Sequence, residues 1–273
     1  MSPSKLRVTV LVDNNTYIDQ YFYGEPAVSY YIEDEGQKIL FDVGYSDIFL
    51  KNAQMMGVDL GKVSTVAISH GHNDHTGGFK FLDKGSEVSG LEVIAHPDAF
   101  KKKYFGKNYI GAPYGLEEMR SKYQLALTRE PVKISPNITF LGEIPQINDF
   151  EIRKNIGVQM EGGLSRGDLV MDDTALVCEQ ENGLFIITGC SHSGICNIME
   201  YAKQVCQNPK ITGVLGGFHL FKKDEQLAKT IDYFEKNSVE NIFPSHCVSF
   251  EAKAHIHSRI PVHETGVGMV LNI

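Results

Sequence analysis

The chain has 273 residues, 42% hydrophobic and 22% charged, enough to bury a sizeable core as one domain or two fused halves. A net charge of −8 and a pI near 5.7 argue against a general attraction to nucleic acid or an anionic membrane, and no stretch reaches membrane-spanning length. Five cysteines (Cys178, Cys190, Cys196, Cys206 and Cys247) are an odd number, so reduced thiols are expected rather than a disulfide framework.

The amino-terminal MSPSKLRVTVLV runs directly into a strand-like segment, without the basic, apolar and small-residue pattern of a secretory leader, which points to a cytoplasmic protein. Strands are predicted over 6–12, 27–32 and 38–41, the last running into Asp42-Val43-Gly44. The intervening NNTYIDQYFYGEP is an aromatic loop placed to border an active site. Ser46 reads as a helix cap, with Ile48, Phe49, Ala53 and Met56 at helical spacing until Gly57 closes the segment.

A short β-branched strand over 64–68 then meets SHGHNDHTGG, in which His70, His72, Asp74 and His75 fall within six positions before the glycine pair Gly77-Gly78. A loop leaving a strand turns alternate side chains to one point. His70 and His72 can therefore share one ion while Asp74 and His75 face a second. Imidazole with carboxylate suits zinc, iron or manganese better than calcium or magnesium.

A strand over 91–95 ends at His96-Pro97, where the proline makes His96 a turn residue rather than a ligand. Lys101-Lys102-Lys103 reads as the solvated face of a helix beginning near Pro97. From about 100 to 145 aromatic residues scattered among Gly, Pro and Lys read as a cap-like insertion, able either to stack a planar substrate or simply to cover a sheet. Strands resume over 174–179, 184–188, 211–215, 241–243 and 267–273, separated by helices with apolar faces at Ile195, Ile198, Met199, Ala202, Cys206 and at Leu227, Ile231, Phe234. Cys178 and Cys206 fall in apolar patterns and are expected in the core. Three later apolar runs also end in histidine, at His192, His219 and His246, and groups at strand ends collect in one cleft.

The HxHxDH pattern of residues 70–75 resembles the signature of the metallo-β-lactamase superfamily. The resemblance implies a single four-layer αββα sandwich over 1–273, of α/β class, and a supporting role beside the metals for Asp42, since ligand histidines need their second nitrogen held. A typical member has a GHTPG-like segment, absent here, where Met171-Asp172-Asp173 lies instead. His192 is therefore expected to stand in for the missing histidine beside His70 and His72, with His246 joining Asp74 and His75, and Cys190 as reserve ligand, favouring zinc if its thiolate binds. The motifs FDVG, AHPDAF, GEIP, DDTALV, TGCSHSGI, GGFHL and PSHC make nearly the entire chain similar to the 7,8-dihydropterin-6-methyl-4-(β-D-ribofuranosyl)aminobenzene-5'-phosphate synthase-like subgroup.

The superfamily bounds the chemistry without naming it. Two divalent ions, zinc foremost with iron or manganese as alternatives, imply hydrolysis of a small anionic, phosphate-bearing substrate through a metal-bound hydroxide. Asp74 would orient the nucleophile, and His219 would protonate a leaving group or hold a substrate oxygen. The helix start after His192, with Arg166 and Asn197, is expected to hold the anion. A transferase joining a dihydropterin methyl diphosphate to an arylamine is the alternative, then a non-catalytic metal or ligand sensor. No nucleic-acid or membrane partner is expected, and a homo-oligomer is left open.

Overall fold

In the computed structural model, which describes residues 6–82 and 90–273, side chains alternate across two large sheets and so define three cores. Successive strand residues point to opposite faces. Tyr30, Ile32, Ile39 and Phe41 therefore meet Leu176, Cys178, Phe185 and Ile187 between the sheets. Tyr31, Leu40 and Val66 face outward onto the helix Ile48–Met55 and its neighbours. Val177, Leu184 and Ile186 face the helices Ile195–Cys206, Glu225–Lys236 and Phe250–His257 on the other side. Three cores between four layers make the αββα sandwich that the sequence led us to expect.

The first sheet runs Val270–Asn272, Arg7–Val12, Ser29–Asp34, Gln37–Phe41, Thr65–Ala67, Glu92–Ala95, Gln124–Leu127, and is parallel from Gln37–Phe41 onward. The second runs Asn241–Pro244, Ile211–Gly216, Gly183–Thr188, Ala175–Gln180, Ile138–Phe140, Val132–Lys133, with its first three strands parallel. Parallel register places Thr188, Gly216 and Pro244 on one line, and Phe41 beside Ala67 in the other sheet. The residues just beyond those ends therefore emerge together, which is what positions the site.

The 100–145 insertion is corrected. Gln124–Leu127 is an edge strand of the first sheet and Ile138–Phe140 pairs with Ala175–Gln180 in the second, so much of this segment belongs to the sandwich. A separate small sheet combines Lys103–Phe105 and Asn108–Tyr109 with Val158–Glu161 and Leu164–Gly167. The helix expected from Pro97 is also absent. Lys103 opens a strand and is fully buried, its ammonium 2.9 Å from Asp168 and 2.8 Å from Asp172, because two carboxylates hold it there. His96 does shape a turn, its Nδ1 accepting the N–H of Asp98.

Asp47 is the residue before the helix Ile48–Met55, with Ser46 Oγ accepting from Ile48 N, and Gly57 closes the turn in the left-handed region. The helix Phe250–His257, capped by Ser249, was not foreseen. Among the described residues no helix is long and apolar enough to cross a membrane. Residues 1–5, on which the expected lack of a leader partly rests, lie outside the described residues.

Phe140 is fully buried between the sheets, so Phe140→Ala is expected to cost about 3–5 kcal/mol by equilibrium denaturation. A loss under about 1 kcal/mol would return this segment to a peripheral cap.

Candidate metal centre

His70 and His72 follow the strand Thr65–Ala67 through a bent loop that ends in extended backbone at His72, and Asn73–Thr76 then coils into one helical turn that carries Asp74 and His75. Glycine is required at position 71, where a Cβ would overlap the carbonyl of Ala99, and at 78, where it would overlap that of Val43. Asp42 fixes the loop from beneath. Its carboxylate accepts the N–H and hydroxyl of Ser69, both at 2.7 Å, and lies 2.6 Å from His75 Nδ1, all buried.

The second sheet delivers the rest. The His192 ring centre lies 4.8 Å from that of His70, 5.1 Å from His72 and 4.4 Å from His219, and His246 lies 5.2 Å from His75. Ligand atoms of Asp74, His75, Cys190 and His246 lie within 4.8 Å of one another, as do those of His70, Cys190 and His192. His246 Nε2 is 3.2 Å and His75 Nε2 3.6 Å from Asp74 Oδ2, Cys190 Sγ is 3.3 Å from His75 Nε2, and His70 Nε2 is 2.9 Å from His72 Nδ1. Of the residues expected at the two positions, Asp74, His75 and His246 gather around Cys190 on one side and His70 and His192 on the other, while His72 lies beside His70 but outside both groups.

These donors fit a transition metal. The ring nitrogens His72 Nε2 and His192 Nε2 are buried without a hydrogen-bond partner among the described residues. Elsewhere one nitrogen is tied down: His70 Nδ1 to Ser69 Oγ at 3.0 Å, His75 Nδ1 to Asp42, and His246 Nδ1 to Asn14 Oδ1 at 2.9 Å. Burial, then mutual repulsion among the imidazoles, holds His70 and His192 well below the ordinary histidine range, and burial lowers His72 too. These three are neutral at pH 7, the form a metal requires. Burial works against the charge of His75, but Asp74 and Asp42 raise it. Burial likewise opposes ionisation of Asp74, yet His75 and His246 bring it below the usual carboxylate range.

Asp42, Ser191, His219 and His246 all have positive φ without being glycine, a concentration of backbone strain at the site. Several supporting residues had no sequence signal. Asp13, just before the aromatic loop, accepts the N–H of His246 on its Oδ2 at 3.0 Å, while Asn14, the loop's first residue, orients the His246 ring. Asp172 Oδ2 accepts the N–H of Gly71 at 2.7 Å, between two candidate ligands, and Lys103 holds its other oxygen. Burial would raise Asp172, but the Lys103 ammonium and the Gly71 N–H bring it down to about 2.

Two expected substrate contacts are corrected. Asn197 is buried and committed: its Oδ1 accepts the N–H groups of Ile147 and Asn148, and its Nδ2 donates to Ser193 O. Arg166 sits on the exposed strand Leu164–Gly167, 3.2 Å from Glu161, away from the cleft. The helix start that was to receive a phosphate is filled by the chain itself, the carboxylate of Glu151 accepting from Cys196 N at 3.0 Å and Asn197 N at 2.8 Å. An anion already occupies that helix end.

Over the cluster opens a cleft of about 500 Å³, bordered by Tyr45, Phe105 and Ile156 together with Asp74, His219 and Cys247. His219 is not in either ligand group but stands beside His192. Burial, then neighbouring charge on His72, His246 and Lys154, pushes it down to about 4.

A family model described as the metallo-beta-lactamase superfamily matches residues 23–246. An uncharacterised protein of Methanocaldococcus jannaschii is 36% identical over 247 residues, 90% of this chain and 91% of its own. The 7,8-dihydropterin-6-methyl-4-(beta-D-ribofuranosyl)-aminobenzene-5'-phosphate synthase of the same organism is 29% identical over 266 residues, covering 91% of this chain and 89% of its own. The crystal structure of Tm1679, a metal-dependent hydrolase of the beta-lactamase superfamily, superposes with a TM-score of 0.83 at 32% identity, covering 98% of this chain and 99% of that one.

Replacing His192 or His246 with Ala is expected to lower bound zinc per chain, read by plasma mass spectrometry, while Arg166→Ala leaves it unchanged. Lys103→Met strands the buried Asp168 and Asp172 and should cost about 3–5 kcal/mol at pH 7. Because the folded-state pKa of Asp172 is depressed, its contribution is present above 3.8 and lost as pH falls toward about 2, so the gap between wild type and Lys103→Met should narrow over that window.

Proposed function

The chain belongs to the metallo-beta-lactamase superfamily, and from that premise we propose that it is a metal-dependent hydrolase of a small anionic, phosphate-bearing substrate. The observation that carries the reading is the pair of donor groups sharing Cys190. The superfamily consists mostly of metal-dependent hydrolases, and Tm1679, similar over nearly the whole chain, is described as one.

His70, His72 and His192 would hold one divalent ion and Asp74, His75 and His246 a second, with Cys190 between them and zinc favoured by the thiol. Bound there, such ions supply Lewis acidity, activating water and polarising a phosphoryl oxygen. The chain's own residues do the rest. Asp74, 28% exposed beside the buried His75, faces the cleft, where its carboxylate would accept a hydrogen bond from the attacking group and orient it. His219, neutral near pH 7, holds a substrate oxygen through a ring N–H rather than delivering a proton. Asp42, Asn14 and Ser69 keep the imidazoles in place. Tyr45 and Phe105, 53% and 60% exposed at the rim, offer flat surface to the non-reacting part of the substrate.

The second reading is a transferase, favoured by the 29% identity to the synthase across nine-tenths of both chains. There the same cluster would stabilise a leaving diphosphate while an arylamine attacks in place of water.

The deciding experiment is metal analysis of the purified protein, then assays with phosphomonoesters, phosphodiesters, cyclic nucleotides, thioesters, and a pterin methyl diphosphate with and without arylamine. Turnover without arylamine supports the hydrolase, strict dependence on it the synthase, and bound metal without turnover a sensor. His219→Ala is expected to keep its metal and lose about tenfold or more in turnover, and unchanged turnover removes it from the mechanism.

A further inference from the structure

The cleft over the cluster has a second arm. Beyond the larger opening, a smaller one of about 280 Å³ lies on the far side of His192 and His219, and Ile156, His192 and His219 line both. The two arms therefore meet at the candidate metal centre. Among the described residues no lysine or arginine lines the larger arm, and its one carboxylate is Asp74. The smaller arm carries Lys154 and Lys222.

Both lysines are exposed at the mouth of this arm, and among the described residues neither has a carboxylate within ion-pair distance, so what sets them apart is their place on its wall. The carboxylate that shares the arm, Asp224, is engaged elsewhere, its Oδ1 accepting the N–H of Leu227 at the start of the helix Glu225–Lys236. The two ammonium groups, in a chain of net charge −8, make a local positive field on one wall of a concave site. The other places where an anion was expected are closed, since Glu151 fills the helix start and Arg166 is held by Glu161 away from the cleft.

We propose that Lys154 and Lys222 form the anion-holding arm of the cleft, receiving a phosphate or diphosphate group of the substrate while the rest of the molecule occupies the larger arm. The bond between the two parts then lies over His192 and His219, where the arms join. This assignment rests on the phosphate-bearing reading above and adds which wall of the site recognises the charge.

The test is calorimetric titration of inorganic pyrophosphate into the zinc-loaded full chain. Lys154→Ala/Lys222→Ala is expected to weaken binding about tenfold or more with zinc content unchanged, and Lys154→Arg/Lys222→Arg to recover it. Lys62→Ala/Lys133→Ala removes the same charge from distant surface ion pairs and should leave the dissociation constant within about twofold. The assignment is overturned by equal binding in wild type and the alanine pair, by an equally large loss at Lys62/Lys133, or by no pyrophosphate binding to the zinc-loaded wild type. Lysine-dependent binding without turnover of any phosphate ester keeps the anion arm and removes the hydrolase reading. Turnover that ignores both lysines does the reverse.

Discussion

A buried carboxylate under the histidine loop is the constraint on which this site depends. Asp42 accepts two hydrogen bonds from Ser69 and faces His75 Nδ1 with no exposure to solvent, so one side chain fixes the loop backbone and one imidazole together. Imidazoles packed at ring-centre distances of 4.2 to 5.2 Å have no intrinsic reason to stay there. Each must have its orientation imposed from outside the cluster. Asp42, Ser69 and Asn14 do this for three of them and leave the opposite nitrogens turned toward shared points.

The second constraint reaches the same loop from the small sheet. Lys103 is buried between Asp168 and Asp172, and Asp172 accepts the N–H of Gly71, the residue between His70 and His72. A strand that borders the cleft is thereby joined through one ammonium and one carboxylate to the backbone of two candidate ligands. Phe105, two residues along that strand, lines the cleft, so cleft wall and histidine loop are parts of one connected body. A buried ionic contact is weak evidence for net stability, but removing one partner is severe. Its placement here ties the geometry of the centre to the closure of the small sheet.

Charge is distributed with the same economy. The helix Ile195–Cys206 begins beside His192, where an anionic ligand would ordinarily be welcome, yet Glu151 satisfies its first free N–H groups. The cationic side chains that remain available stand across His219 in the smaller arm. Under the proposed anion arm, recognition of charge would be separated from the helix end and given to exposed side chains.

The strand alternation, the helical faces at Ile195–Cys206 and Glu225–Lys236, and the ligand types at 70 to 75 were legible in the residues, because local periodicity and donor chemistry are properties of neighbours in the chain. The family motif supplied the layering. What could not be read was partnership across long separations: Lys103 looked like one of three solvated lysines, Asn197 and Arg166 looked like substrate contacts, Asn14 looked like a loop residue, and Asp13 carried no signal. Each depends on which strand lies beside which. By itself the sequence determined that imidazoles, a carboxylate and a thiol follow strand ends. Only the tertiary structure, by aligning Thr188, Gly216 and Pro244 in parallel register opposite the first sheet's loop, decided that they meet and which groups hold them, since hydrogen bonds and charges act through space rather than along the chain.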